Sequence, residues 1–221
     1  MPIRAFVITI VDDPISVAGA KRCIESITHT NSDLQAEIFP AVTPATIFNC
    51  DWSWPLKKKK ICHHTNLTLT AYKNTDVRRR IACAQSHWFL WQLCVGLDHD
   101  ICILEHDALF VGKFDTIEFD GGALSLNDPK NATFKAAEYD QALVDGVNEI
   151  PWITDQSIPQ GLPGNSAYLI KPWAAQQLIN KQNEIGWWPN DAIMCRQLFP
   201  WLRALKPYCT TLQKMRSSTT H

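Results

Sequence analysis

Ile101-Cys102-Ile103-Leu104 is an unbroken apolar run that stops at Glu105-His106-Asp107. A strand with one wet face alternates apolar and polar residues. A run with no polar residue has both faces covered, as in the middle of a parallel sheet between helices. The flanking pattern fits. Residues 3–11 form a largely apolar strand, and residues 14–27 a helix with Val17, Ala20, Ile24 and Ile27 on one stripe. Residues 34–42 form a second strand, and strand, helix, strand in that order implies parallel pairing through a crossover. Residues 81–97 form a helix whose buried face is Ile81, Ala84, Trp88, Trp91 and Val95. Residues 122–126 and 167–170 are further strands. Pro172 opens a helix, and Asn190 caps a last one over residues 191–198. The expected fold is α/β, a mostly parallel sheet flanked by helices, in one domain over residues 1–221. Residues 43–80 interrupt it as a loop-rich excursion, and residues 130–160 are weakly patterned.

Composition narrows the partners. The net charge of −1 gives no reason to expect nucleic acid. The apolar stretch from Ala5 to Val11 is too short to span a membrane, and no small-residue cleavage site follows it. There is no C-x-x-C pair, and Cys23, Cys83, Cys94 and Cys102 sit inside apolar patterns, so the cysteines read as reduced, buried thiols. A cytoplasmic protein is expected, with the sequons at Asn66 and Asn131 unmodified.

Glu105 and Asp107 are the sharpest chemical signal. In open α/β sheets ligands bind at the carboxyl ends of the strands. If the chain stays extended through residue 107, both carboxylates point to the same side. Together they suit a hard cation, Mn²⁺ or Mg²⁺, able to neutralise a diphosphate.

The surrounding blocks resemble glycosyltransferase family 25, the group that includes lipooligosaccharide and collagen galactosyltransferases. Ala82-Cys83-Ala84-Gln85-Ser86-His87 with Leu90-Trp91, running on to Ile103-Leu104-Glu105-His106-Asp107-Ala108, is similar to the family's G-C-x-x-S-H…L-W helix followed by I-L-E-D-D-A. Ala5 to Ile10 and Ile38 to Val42 resemble its first two strands. Gly164-Asn165-Ser166-Ala167-Tyr168-Leu169-Ile170 resembles its G-x-x-A-Y-L-I block, and Pro189-Asn190-Asp191 a late P-x-D. His106 replaces a carboxylate in the acidic triplet. Thr9-Ile10-Val11-Asp12-Asp13 stands where the family has Asn-Leu-x-x-R.

The resemblance implies a GT-A, Rossmann-like fold and transfer of a hexose, galactose by default, from a UDP-sugar to a glycan or other hydroxyl acceptor, with inversion, as in lipopolysaccharide biosynthesis. Glu105 and Asp107 would hold the metal, with His221 as a third ligand from the C-terminal segment. Asp191 would be the general base, kept ionised by a helix N-terminus. Thr9, Ile10, Val11, Ser86, His87 and His106 are the donor-side candidates. On a helical wheel His87 flanks the apolar face of its helix and Ser86 points away from it.

Trp187 and Trp188, like Trp52 and Trp54, are candidates to stack on an acceptor sugar. Cys62-His63-His64 lacks a second half with zinc spacing, and Lys57 to Lys60 reads as a solvated charge run. Two other functions compete: an inactive nucleotide-sugar-binding module on the same fold, and another metal-dependent enzyme acting on nucleotides. No P-loop or other glycine-rich phosphate loop is present.

Overall fold

Along the chain the elements are β1 (Ile3–Thr9), α1 (Pro14–His29), β2 (Leu34–Pro40), β3 (Lys60–Ile61), β4 (Thr68–Leu69), α2 (Val77–Leu97), β5 (Ile101–Glu105) and β6 (Ala108–Phe110). There follow β7 (Ala123–Ser125), α3 (Ala136–Ala142), β8 (Gly146–Glu149), β9 (Ala167–Ile170), α4 (Pro172–Ile185), α5 (Asn190–Ile193), β10 (Leu202–Lys206) and β11 (Thr210–Leu212). They come from a computed structural model that describes residues 2–48, 60–62, 65–69 and 77–215.

One 7-stranded sheet, in the order β2-β1-β5-β9-β7-β10-β8, organises the chain. β1 is parallel to both β2 and β5, as the strand–helix–strand pattern requires. β9 is antiparallel to β5 and to β7, and β8 to β10. Since β10 is parallel to β7, strands β2, β1, β5, β7 and β10 run one way and β9 and β8 the other. β5 is thus central and buried, but parallel only on its β1 side. The reversal of β9 has a use: it begins beside the end of β5, with Ala167 opposite Leu104.

Strand alternation divides the core between the two faces. Phe6, Ile8, Ile101, Ile103, Tyr168 and Ile170 face the layer of α2 and α4. Ala5, Val7, Cys102, Leu104, Ala167 and Leu169 face α1. Among the described residues no helix is long and apolar enough to cross a membrane. Cys23, Cys94, Cys102 and Cys209 are free, buried thiols.

Several helix faces differ from the expectation. α1 buries Ala20 and Ile27 as expected, but Ser16, Gly19 and Cys23 are buried in place of Val17 and Ile24, which are only partly covered. Small residues win there because the helix approaches closely: a Cβ on Gly19 would lie 2.7 Å from the His106 carbonyl oxygen. α2 buries Ala82, Ala84, Gln85, Ser86, His87, Leu90, Trp91 and Cys94, while Ile81, Trp88 and Val95 are only partly covered. It packs against α4 and β5, so polar residues as well as apolar ones are enclosed. The described part of the 43–80 excursion also feeds the core through Leu67 and Leu69, and α2 starts within it. Trp52, Trp54, Lys57 to Lys59, His63 and His64 lie outside the described residues.

Candidate active site

β5 ends at Glu105, and His106-Asp107 form a turn before β6. The extended conformation that would have aligned the two carboxylates by strand period therefore stops one residue too early. Another device sets the turn. Gln213, just after β11, donates its backbone N–H to the Asp107 carbonyl at 2.7 Å. Its side-chain amide donates to the carbonyls of Gly19, His106 and Ala108 at 3.0, 3.2 and 3.0 Å.

Held this way, Asp107 keeps its Oδ1 buried with no hydrogen-bond partner. Burial, with the Glu105 charge adding to it, pushes the Asp107 carboxyl up to about 7. A buried, unpartnered carboxylate oxygen beside a second carboxylate is costly alone and is relieved by a cation. The oxygen donors of Glu105 and Asp107 fit a hard divalent ion.

Glu105 is oriented from the other side by a buried chain of polar groups. Trp91 Nε1 donates to Tyr168 Oη at 3.0 Å. His87 Nδ1 lies 2.8 Å from the same hydroxyl, and His87 Nε2 3.2 Å from Glu105 Oε1. Indole N–H only donates, so Tyr168 Oη accepts from Trp91. The hydroxyl proton is then free to point at Nδ1, which makes Nδ1 an acceptor and places the ring proton on Nε2, aimed at the carboxylate. Tyr168 and His87 are both fully buried, so each of these bonds stands in for water. Tyr168→Phe should destabilise the fold by about 1–3 kcal/mol, because it strands the Trp91 N–H and the His87 ring nitrogen. Denaturant unfolding checks this.

Asp191 sits across from this chain, close enough for Glu105 and His87 to act on it electrostatically. Its surface is open to solvent, yet protein crowds its carboxyl on the remaining sides. That crowding pushes it up to about 6, with the Arg80 guanidinium opposing and Glu105 reinforcing. The expected helix over residues 191–198 is only α5, four residues long, too short for a macrodipole to hold Asp191 ionised. Nor does Asn190 cap it: Pro189 precedes the helix, and Asn190 Oδ1 instead takes the Cys83 thiol at 3.5 Å. Burial lowers the His106 pKa from its ordinary value, with the charges of Glu105 and Asp13 opposing.

The structure thus brings together Glu105, Asp107, His87, His106 and Asp191. Other candidates fall elsewhere. Ser86 is buried rather than turned away, bridging the Ala82 carbonyl and the Val42 N–H. Thr9 is buried with its hydroxyl on the Val7 carbonyl, and the Ile10 N–H is taken by Ser16. Val11 is 53% exposed in the turn that follows β1. Trp187 and Trp188 are each 1% exposed and packed into the interior, so their faces are occupied by protein and offer no stacking surface to an acceptor. His221 lies outside the described residues. Tyr168 and Cys83 were missed. The signals were a hydroxyl-bearing ring in an otherwise apolar strand, and a thiol one helical turn before His87.

The chain matches the model of glycosyltransferase family 25 (LPS biosynthesis protein) over residues 15–194. Among solved structures, it is similar to galactosyltransferase LgtC in complex with donor and acceptor sugar analogs, at TM-score 0.40 and 9% identity over 96% of this chain and 87% of that one. At that distance the likeness carries no weight. No curated protein matches the chain.

Proposed function

Because the chain belongs to glycosyltransferase family 25, we propose that it moves a hexose from a UDP-sugar to a hydroxyl acceptor. Galactose is the first donor sugar to test. The acceptor is a glycan, in keeping with the family's description as an LPS biosynthesis protein, and the enzyme works with inversion as one GT-A domain in the cytoplasm. The observation that carries this reading is Asp107, whose buried, unpartnered oxygen stands beside Glu105 at the carboxyl end of the central strand.

Glu105 and Asp107 would hold Mn²⁺ or Mg²⁺, which supplies positive charge to the departing diphosphate. His87, fixed by Tyr168, keeps Glu105 aimed. Asp191 accepts the proton of the acceptor hydroxyl as its oxygen attacks the anomeric carbon and the bond to UDP breaks. Val11 and His106 stand on the donor side. His221 remains a candidate third ligand.

A donor screen tests the proposal. Purified protein is offered a panel of nucleotide sugars and glycan acceptors with Mn²⁺, then with chelator. Release of UDP from one donor, coupled to a sugar product and lost with chelator, is the expected result. Tight donor binding without release, whatever acceptor is supplied, would convert the chain to an inactive binding module. Binding to no nucleotide sugar would overturn the reading.

A further inference from the structure

We propose that Cys83, His87 and Glu105 form a second cation site, selective for a thiophilic divalent ion of the zinc class, whose occupancy withdraws Glu105 from the donor metal. The site stands on its own geometry; only its inhibitory consequence rests on the role given to Glu105 above.

Cys83 and His87 are four residues apart on α2, so they share one helix face. The Cys83 Sγ, a ring nitrogen of His87 and a carboxylate oxygen of Glu105 all lie within 4.8 Å of one another. Tetrahedral zinc with bonds of about 2.0–2.3 Å places its ligand atoms roughly 3.5 Å apart, so small side-chain rotations close the triangle. His87 Nε2 and Glu105 Oε1 are already at 3.2 Å. The other ring nitrogen is held by Tyr168, the outer-shell support that metal-binding histidines use. Glu105, Asp191 and Asp107 surround the thiol with negative charge against the single guanidinium of Arg80, a field that attracts a cation.

Ligand type separates this site from the one beside it. Glu105 with Asp107 offers only oxygens and suits Mn²⁺ or Mg²⁺. A thiolate and an imidazole suit zinc. Glu105 belongs to both, so the two ions compete for it.

Binding moves protons in a defined way. The Cys83 thiol gives its proton to solvent and binds as thiolate. His87 loses its Nε2 proton to solvent and gains one from solvent at Nδ1, so the ring stays neutral and now donates to Tyr168 Oη. One proton is released overall. Reversal of the His87–Tyr168 bond makes this a weaker site than a structural zinc centre and keeps it reversible.

The test is a Co²⁺ titration of the full chain without donor or acceptor, reading the thiolate-to-cobalt charge-transfer band. A band saturating at one equivalent is expected, absent in Cys83→Ser and retained in Cys62→Ser and in Asp107→Asn. Glu105→Gln should weaken Co²⁺ binding about tenfold or more. Near-ultraviolet circular dichroism establishes that each variant is folded. A band that survives in Cys83→Ser, or no band in the parent chain, overturns the site. In a second arm, Zn²⁺ should inhibit Mn²⁺-dependent transfer by the parent, and Cys83→Ser should resist it relative to its own zinc-free rate. Zinc that binds at Cys83 yet leaves Mn²⁺-dependent transfer untouched overturns the sharing of Glu105. Absence of all transfer bears on the proposed function alone, because the cobalt band needs no turnover.

Discussion

Asp107→Asn should make the protein more stable at pH 8 and nearly inactive as a transferase. The carboxyl is pushed from 3.8 up to about 7, first by burial and then by Glu105. A group that binds its proton more tightly in the folded state favours folding while protonated, and that advantage disappears as pH rises towards the folded value. The parent chain should therefore lose stability between about pH 4 and pH 7, while Asp107→Asn holds its own. At about 1.4 kcal/mol per tenfold in proton affinity, even a third of the rise separates the two by roughly 1.5 kcal/mol above pH 7. Metal reverses the order: Mn²⁺ should raise the melting temperature of the parent and leave the variant unchanged. Transfer should fall about 10³-fold or more, since the ion supplies several kcal/mol of charge stabilisation. Melting curves from pH 4 to 8, with and without Mn²⁺, and UDP release at pH 8 check both halves. A variant no more stable than the parent at pH 8 would mean that Asp107 is not a strained carboxylate.

Asp191→Asn should lower transfer by about 10²–10⁴-fold while leaving donor binding intact, the expected loss for a general base. The pH profile gives the sharper result. Burial pushes the Asp191 carboxyl up to about 6, and it accepts a proton only when ionised. With Mn²⁺ saturating, so that Asp107 stays deprotonated, transfer by the parent should fall tenfold for each pH unit below about 6 and level off above it. Arg80 holds that value down against the crowding, so Arg80→Gln should move the acid limb to higher pH. A profile in Asp191→Asn with the parent's limb would assign the proton to another group.

The sequence made the centre of the fold legible and left its far edge obscure. The runs Ala5 to Ile8, Ile101 to Leu104 and Ala167 to Ile170 are buried on both faces of the sheet, and α4 announces itself with Pro172. β9 and the start of α4 fall where they were expected. β10 escaped because it carries Arg203, a charge that reads as solvent-facing. Here it is 9% exposed and paired with Asp120 at 2.9 Å. β8 has exposed residues on an edge strand and no apolar signature. In the site, Glu105 and Asp107 stood out as carboxylates ending a buried strand, but Asp107 lies in a turn held by Gln213 from the far end of the chain. His87 was visible as a residue and invisible as a link, because its partners Tyr168 and Glu105 come from two strands distant in sequence from α2 or from each other. Trp187 and Trp188 misled since a large ring serves a core as well as a sugar, and only burial distinguishes the two.

The clamp on the acidic turn also orders events during synthesis. His106 and Gln213 are 107 residues apart in the chain. At about 5–20 residues per second the turn waits roughly 5–20 s on the growing polypeptide before the amide that fixes it has been made. β1, β2 and β5 can pair in that interval, but the residues around Asp107 have no partner for their carbonyls until β11 docks on β6. The acidic turn is thus held by a contact of long sequence separation, and it takes its final shape only once β11 has docked.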